Sequence, residues 1–283
     1  MIAVTGANGQ LGLLVIKSLL QKTAASNIIA LIRDLDKADE LKALGVQVRQ
    51  ADYNHVETLA PALQGVDKLL LISGSEVGQR VPQHQAVIDA AKNTGVKLFA
   101  YTSILKADTS PLKLAAEHKA TEAAIQAAGL PAVILRNGWY SENYTQSLAG
   151  VVQAGAVVGA AQEGQLHTAA RADYAEAAAV ILTSTENQVG KIYELAGEQG
   201  FSLADYANEI TKQTGKVIPY QALSEQEFSQ VLTSIGLPTG FADLLADAEA
   251  QAAKGWLAEE SGTLSQLIGR STTPIAESIQ HAL

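Results

Sequence analysis

Short apolar, β-branched runs recur along the first half of this chain at residues 2–5, 28–32, 46–50, 68–72, 98–102 and 133–135, with longer helical patterns between them. Runs that are apolar on both faces belong to strands covered on both sides, and their alternation with helices is the mark of repeated βαβ units and a parallel sheet. The helical patterns carry one apolar face each: Leu11, Leu14, Val15 and Leu19 in the first, Val87, Ile88 and Ala91 before the fifth run. Gly45, Gly65, Gly95 and Gly129 each stand just before a strand, where a helix ends in a left-handed residue. The predicted fold is α/β, a doubly wound parallel sheet of the Rossmann type.

Past residue 137 the rhythm loosens. An alanine-rich helix over 171–182 and a strand over 191–196 return to the main sheet. Beyond Gly200 helical stretches dominate, at 203–214 and 225–235, broken by Gly236, Pro238 and Gly240. The expected division is a dinucleotide-binding domain over 1–155, with return elements at about 170–196, and a smaller, mainly helical cap on the substrate side over 197–283.

With 283 residues, 47% of them hydrophobic and 17% charged, the chain can bury a substantial core. A net charge of −9, with only 20 dispersed Lys and Arg, argues against nucleic acid as a partner. Cysteine is absent, which removes thiolate nucleophiles, disulfides and Cys-ligated zinc. The first residues are already strand-like and no run of 18 apolar residues occurs, so a cytoplasmic protein with no membrane partner is expected. The five histidines, at 55, 84, 118, 167 and 281, show no metal-ligand spacing, and no metal is expected. No G-x-S-x-G elbow points to a serine hydrolase.

The stretch VTGANGQLG places Gly6, Gly9 and Gly12 where the first strand ends and the first helix begins. Backbone N–H groups at a helix N-terminus favour an anion, and a pyrophosphate can approach closely only where no Cβ intervenes. The turn is therefore a candidate pyrophosphate site. At the end of the second strand Arg33 offers a guanidinium for a 2′-phosphate, favouring NADP(H), while Asp34 beside it keeps the ribose 2′-hydroxyl of NAD(H) as an alternative. Other strand ends carry Asp52, the small Ser73, Gly74 and Ser75, and Tyr101, all at one edge of the sheet. Asp52 suits the adenine amino group, and the Ser73 to Ser75 turn can pass under ribose and phosphates.

Together the stretches VTGANGQLG, KLLLISGSEVGQR, YTSILKADTSPLKLAAEHKATE and LRNGWYSENY, with Arg33, resemble the NmrA-like atypical short-chain dehydrogenase/reductases, on the side of their bacterial quinone reductases. The resemblance spans the whole chain. It implies an NADPH-preferring, flavin-free reductase of quinones, with a cofactor site that includes Gly6, Ala7, Asn8, Gly9, Gln10 and Leu11 of the glycine loop and Asn137, Gly138, Trp139, Tyr140, Ser141 and Glu142.

One departure from the wider family is informative. The usual Tyr-x-x-x-Lys pair on the helix after the fifth strand is absent, and His118 and Glu122 hold that spacing. Alcohol dehydrogenation by the usual acid is thereby disfavoured. A quinone demands less, because hydride attack leaves a phenolate, a far weaker base than an alkoxide. Candidate catalytic groups are His118, oriented by Glu122, Tyr140 as a second proton donor, and Asn137, which with Arg136 can reach the nicotinamide ribose or carboxamide. Trp139, Tyr140 and Tyr144 offer either a flat wall for an aromatic substrate or ordinary core packing. Two alternatives accompany the quinone reductase: an NADP-sensing regulator without turnover, and a reductase of other conjugated electrophiles such as triphenylmethane dyes. Oligomeric state and the identity of the quinone are left open.

Overall fold

A computed structural model describes residues 1–283. In chain order the first elements are β1 (Ile2–Val4), α1 (Gln10–Leu20), β2 (Ile28–Ile32), α2 (Asp39–Ala43), β3 (Gln47–Gln50), α3 (Leu59–Ala62), β4 (Lys68–Leu71), α4 (Arg80–Thr94), β5 (Leu98–Ile104), α5 (Ala115–Ala128) and β6 (Ala132–Asn137). Next come α6 (Glu142–Thr145), α7 (Leu148–Ala154), β7 (Val157–Gly159), α8 (Arg171–Thr183), β8 (Ile192–Leu195), α9 (Leu203–Thr214), β9 (Tyr220–Ala222), α10 (Glu225–Ser234), α11 (Thr239–Ala252), α12 (Thr263–Ile268) and α13 (Ile275–Ala282).

Seven strands form one sheet in the order β3-β2-β1-β4-β5-β6-β8. The pairs from β3 through β6 are parallel, with Ile2 opposite both Ile28 and Lys68, and Ser103 opposite Arg136. Every residue of β2 and β5 is buried, as strands with helices on both faces must be. The strand order reverses at β1, so the crevice between the carboxyl ends of β1 and β4 is the switch point at which open α/β sheets bind ligands. Helix α4 ends at Gly95 with φ of 74°, a left-handed conformation that favours glycine.

The chain divides into two compact units. The first comprises Met1–Ile104, Glu117–Asn137 and Arg171–Tyr193. On one side of its sheet Ala3, Ile29, Leu31, Leu69, Leu71, Phe99 and Tyr101 meet Val87, Ile88 and Ala91 of α4 and Ile125 of α5. Each large aliphatic side chain so buried contributes about 1.5–3 kcal/mol. Helix α1 packs against α8 and buries Leu11, Val15, Ile16 and Leu19.

The second unit comprises Leu105–Ala116, Gly138–Ala170 and Glu194–Leu283, so residues 138–155, expected with the first domain, cluster here instead. It is mainly helical, with a two-stranded parallel sheet of β7 and β9 that the sequence pattern does not announce, since three residues are too short to show a period. Serines that bond the third backbone N–H start α9 and α10: Ser202 with Asp205 and Ser224 with Glu227 form reciprocal capping boxes. Tyr144, Phe201 and Tyr206 form an aromatic trio with ring centroids 5.8–6.3 Å apart. No helix is long and apolar enough to cross a membrane.

Candidate functional site

At the carboxyl ends of β1, β2, β3 and β4 the first unit holds a groove of about 340 Å³. The glycine loop forms its floor. Gly6 has φ of 56°, Gly9 donates to the Gly6 carbonyl at 2.9 Å, and Leu13 donates to Gly9 at 2.9 Å. No side-chain cap and no acidic residue occupies the start of α1, so its dipole and first N–H groups face the groove without competition from the chain's own carboxylates. A Cβ on Gly12 would lie 2.3 Å from the Gly6 oxygen and 2.8 Å from Ala7 Cα, which is why helix and loop can approach this closely. Asn8, Gly9, Gln10 and Leu11 line the groove as expected. Ala7 does not: it is fully buried and its N–H donates to Leu31 at 3.2 Å, so it ties the loop to β2.

Arg33 and Asp34 at the end of β2, and Asp52 at the end of β3, line the same groove. Burial opposes ionisation of Asp52, but hydrogen bonds from His55 Nδ1 (3.0 Å) and Asn54 N–H (3.0 Å) outweigh it and hold the carboxyl below its usual range. Ser73, Gly74 and Ser75 form the facing wall, fixed from beneath. Ser73 N–H donates to Thr102 Oγ1 at 2.9 Å, Gly74 N–H to His84 Nε2 at 3.0 Å, and Arg80 Nε to the Gly74 carbonyl at 2.6 Å. Since His84 Nε2 accepts, its ring proton sits on Nδ1 and faces Thr121 Oγ1 at 2.9 Å. Burial, reinforced by Arg80, lowers the His84 pKa to about 4, so the accepting form persists at neutral pH.

Two charged groove residues escaped the sequence pattern, as did Tyr53, Asn54 and Gln83. Lys37 adds a second cation close to Arg33, and Glu76, in the loop after Ser75, reaches back to Arg33. The only local signal for Lys37 is the one-turn spacing from Arg33; Glu76 has none.

The expectations for α5 are corrected. His118 and Glu122 share a helix face but are not partners. His118 is buried, its Nδ1 shares a 2.8 Å hydrogen bond with Tyr101 Oη, and desolvation pushes its pKa down to about 3. It is neutral near pH 7 and so is no general acid there, and Glu122 does not orient it. Glu122 accepts from Arg136 Nε (3.0 Å) and Nη2 (2.7 Å) and from Ser103 Oγ (2.5 Å). That ion pair, with side chains 7% and 14% exposed, engages the guanidinium expected to reach a nicotinamide ribose. Tyr101, expected at the cofactor, is fully buried among the core residues with its hydroxyl on His118, because the side chains of β5 alternate and this one points into the fold.

Asn137 ends β6 buried, and its Oδ1 has no hydrogen-bond partner. A buried carbonyl oxygen left so is costly unless a ligand donates to it, and a carboxamide N–H is such a donor. The next residues belong to the second unit. Gly138 N–H donates to Leu195 (2.7 Å), Tyr140 bridges to Ala169, and Ser141 is fixed by Ala169 O (3.0 Å) and Thr168 Oγ1 (2.8 Å). Trp139, Tyr140 and Glu142 are half-buried. Tyr144 is not a wall for substrate; it packs in the aromatic trio. The close-packed glycine loop, the uncapped helix start, two cations beside the end of β2 and the orphaned Asn137 oxygen all fit a dinucleotide.

The fold and groove define a Rossmann-type dinucleotide-binding protein, and the chain belongs to the NmrA-like family, which it matches over residues 1–266. It is 54% identical over 281 residues to Quinone oxidoreductase 2 of Escherichia coli, covering 99% of this chain and 98% of that protein. The structure of the Escherichia coli NADPH-dependent quinone oxidoreductase complexed with NADPH superposes with a TM-score of 0.97, covering 99% of each chain. Triphenylmethane reductase of Citrobacter sp., complexed with NADP(H), gives a TM-score of 0.95 at 39% identity and covers 100% of each chain.

Proposed function

We propose that this protein is an NADPH-dependent quinone oxidoreductase that reduces quinones to hydroquinones by direct hydride transfer, without flavin. The 54% identity to the Escherichia coli quinone oxidoreductase over 281 residues carries this reading, and the groove supports it physically. Bound NADPH supplies the hydride from its nicotinamide ring. The start of α1 and the glycine loop hold the pyrophosphate, Arg33 and Lys37 face the 2′-phosphate, and Asp52 takes the adenine end. The Ser73 to Ser75 backbone would support the ribose, and the unpartnered Asn137 Oδ1 would accept from the carboxamide and help to orient the ring.

The first product of hydride attack is a phenolate, so proton delivery contributes less than positioning. Of the two donors considered, Tyr140 is half-buried three residues after Asn137 in the chain, whereas His118 is a neutral imidazole and no acid near neutrality. We assign delivery to Tyr140, and Tyr140→Phe should lower kcat for quinone reduction by roughly tenfold or more. A cytoplasmic location, where NADPH is supplied, is part of the same reading.

The test is steady-state oxidation of NADPH with benzoquinone and naphthoquinone by protein that shows no flavin absorbance. Quinone-dependent turnover is expected. Tight NADPH binding with no turnover on any quinone, or turnover that appears only on adding flavin, would overturn it.

A further inference from the structure

The end of β2 and the loop after β4 are joined across the groove by one ion pair. Arg33 Nη1 lies 3.0 Å from Glu76 Oε1, and both side chains line the groove. Glu76 does not swing freely: its other oxygen accepts from Gln83 Nε2 at 2.8 Å, and Gln83, buried in the first turn of α4, also donates to Asn54 at 3.2 Å. A carboxylate is thus anchored against the cation assigned to the 2′-phosphate.

Asp34, which follows Arg33 and offers itself as the ribose acceptor, is otherwise engaged. Its Oδ1 accepts from Asp36 N–H at 3.0 Å and caps the turn, and its Oδ2 faces Lys37 Nζ at 3.8 Å. In dinucleotide folds that prefer NAD, an acid at the end of the second strand accepts from the ribose 2′-hydroxyl. Here the acid nearest Arg33 comes from the other side of the groove.

Resting on the NADPH reading above, we propose that Glu76 is a specificity-determining residue of this groove. It holds Arg33 when no 2′-phosphate is present, accepts from the 2′-hydroxyl of NADH, and gives up Arg33 when the 2′-phosphate of NADPH arrives. The exchange is easy because the pair is solvated, with side chains 65% and 45% exposed. The 2′-phosphate, carrying close to two negative charges, nonetheless binds beside an anchored carboxylate. Glu76 therefore narrows the preference that Arg33 and Lys37 alone would impose, and the chain takes both dinucleotides.

The experiment is calorimetric titration of the full-length protein, wild type, Glu76→Gln, Glu76→Ala and Arg33→Ala, with NADPH, NADH, 2′,5′-ADP and ADP. Glu76→Gln keeps the side-chain shape, and thermal unfolding checks that each variant is folded. Removing one carboxylate from beside the phosphate should tighten NADPH and 2′,5′-ADP by roughly three- to tenfold at low salt, with the gain shrinking as ionic strength rises. NADH should weaken by roughly two- to fivefold as its acceptor is lost, so the NADPH to NADH preference rises roughly six- to fiftyfold. Arg33→Ala should move the preference the other way. Wild-type protein that binds neither dinucleotide overturns the NADPH reading and this proposal together. Wild-type protein that binds NADPH while both Glu76 variants shift NADPH and NADH equally, or not at all, overturns this proposal alone.

Discussion

Replacing Gly12 by alanine puts a methyl group where the structure already has backbone. The added Cβ would lie 2.3 Å from the Gly6 oxygen, 2.8 Å from Ala7 Cα and 2.9 Å from the Gly6 carbonyl carbon. Ordinary contacts begin near 3.5 Å, so helix and loop must part by roughly 1 Å. The loop resists, because Ala7 N–H is bonded to Leu31 and Gly9 N–H to Gly6. Overpacking of this kind costs about 1–3 kcal/mol, and with backbone on both sides the upper end applies. At roughly 2 °C per kcal/mol for a chain of this size, Tm falls by about 6 °C. The other two glycines grade the effect. Gly6→Ala meets nothing within 4 Å but must hold φ of 56°, a cost of about 1–2 kcal/mol. Gly9→Ala has an ordinary φ of −78° and a single contact at 3.1 Å that a small shift relieves, so less than about 1 kcal/mol is expected. Thermal unfolding followed by circular dichroism should rank the losses Gly12, Gly6, Gly9, and NADPH titration should show the largest loss of affinity in Gly12→Ala. An alanine at 12 that melts within about 2 °C of wild type, or a larger loss at 9 than at 12, would refute the packing argument.

Buried histidines and a buried glutamate give stability opposite pH slopes. His84 and His118, with pKa values lowered to about 4 and about 3 by burial, bind fewer protons folded than unfolded. Their contribution is complete above about pH 6.5 and is lost as pH falls, at about 1.4 kcal/mol per pH unit for each, so urea midpoints measured from pH 7 to 4 should fall and His84→Gln should flatten the slope. Burial raises Glu249 to about 7 against hydrogen bonds from the Ala160 and Ala161 backbone. A raised carboxyl binds more protons folded than unfolded, so its contribution is lost as pH climbs from the unfolded value of about 4.3 through about 7. Glu249→Gln should remove that loss, and a variant whose Tm falls as steeply as wild type from pH 6 to 8.5 would contradict it. Glu122→Ala takes a two-pronged carboxylate contact from buried Arg136 and should cost about 1.5–3 kcal/mol by urea denaturation, with Glu122→Gln costing less.

The parallel sheet and most of the groove are readable from sequence because their signals are local. Buried strands are continuous apolar runs, and the glycine loop, Arg33, Asp52 and Ser73 to Ser75 each stand where such a run ends. Glu76 carries no such mark; its meeting with Arg33, 43 residues earlier, exists only once β1 has paired with β4 on one side and β2 on the other. The His118 and Glu122 spacing was legible but misleading. Four residues of helix rise about 6 Å, and two residues of strand advance about 6.6 Å. The two side chains on α5 therefore match Tyr101 and Ser103 on β5 rung for rung, and Arg136 reaches Glu122 from β6, where it is paired in register with Ser103. An i, i+4 pair suggests partners along the helix, and here a strand with nearly the same repeat takes both.

The packing of α1 on α8 bears on how this chain comes off the ribosome. Helix α1 is made well before its helical partner, since α8 begins roughly 150 residues later, about 8–30 s at ordinary elongation rates. For that interval the part of α1 that meets α8 has no native cover, even where β1 and β2 already shield the rest, and such a surface is the kind that holding chaperones bind. Any truncation that ends before Thr183 leaves that face incompletely covered for good.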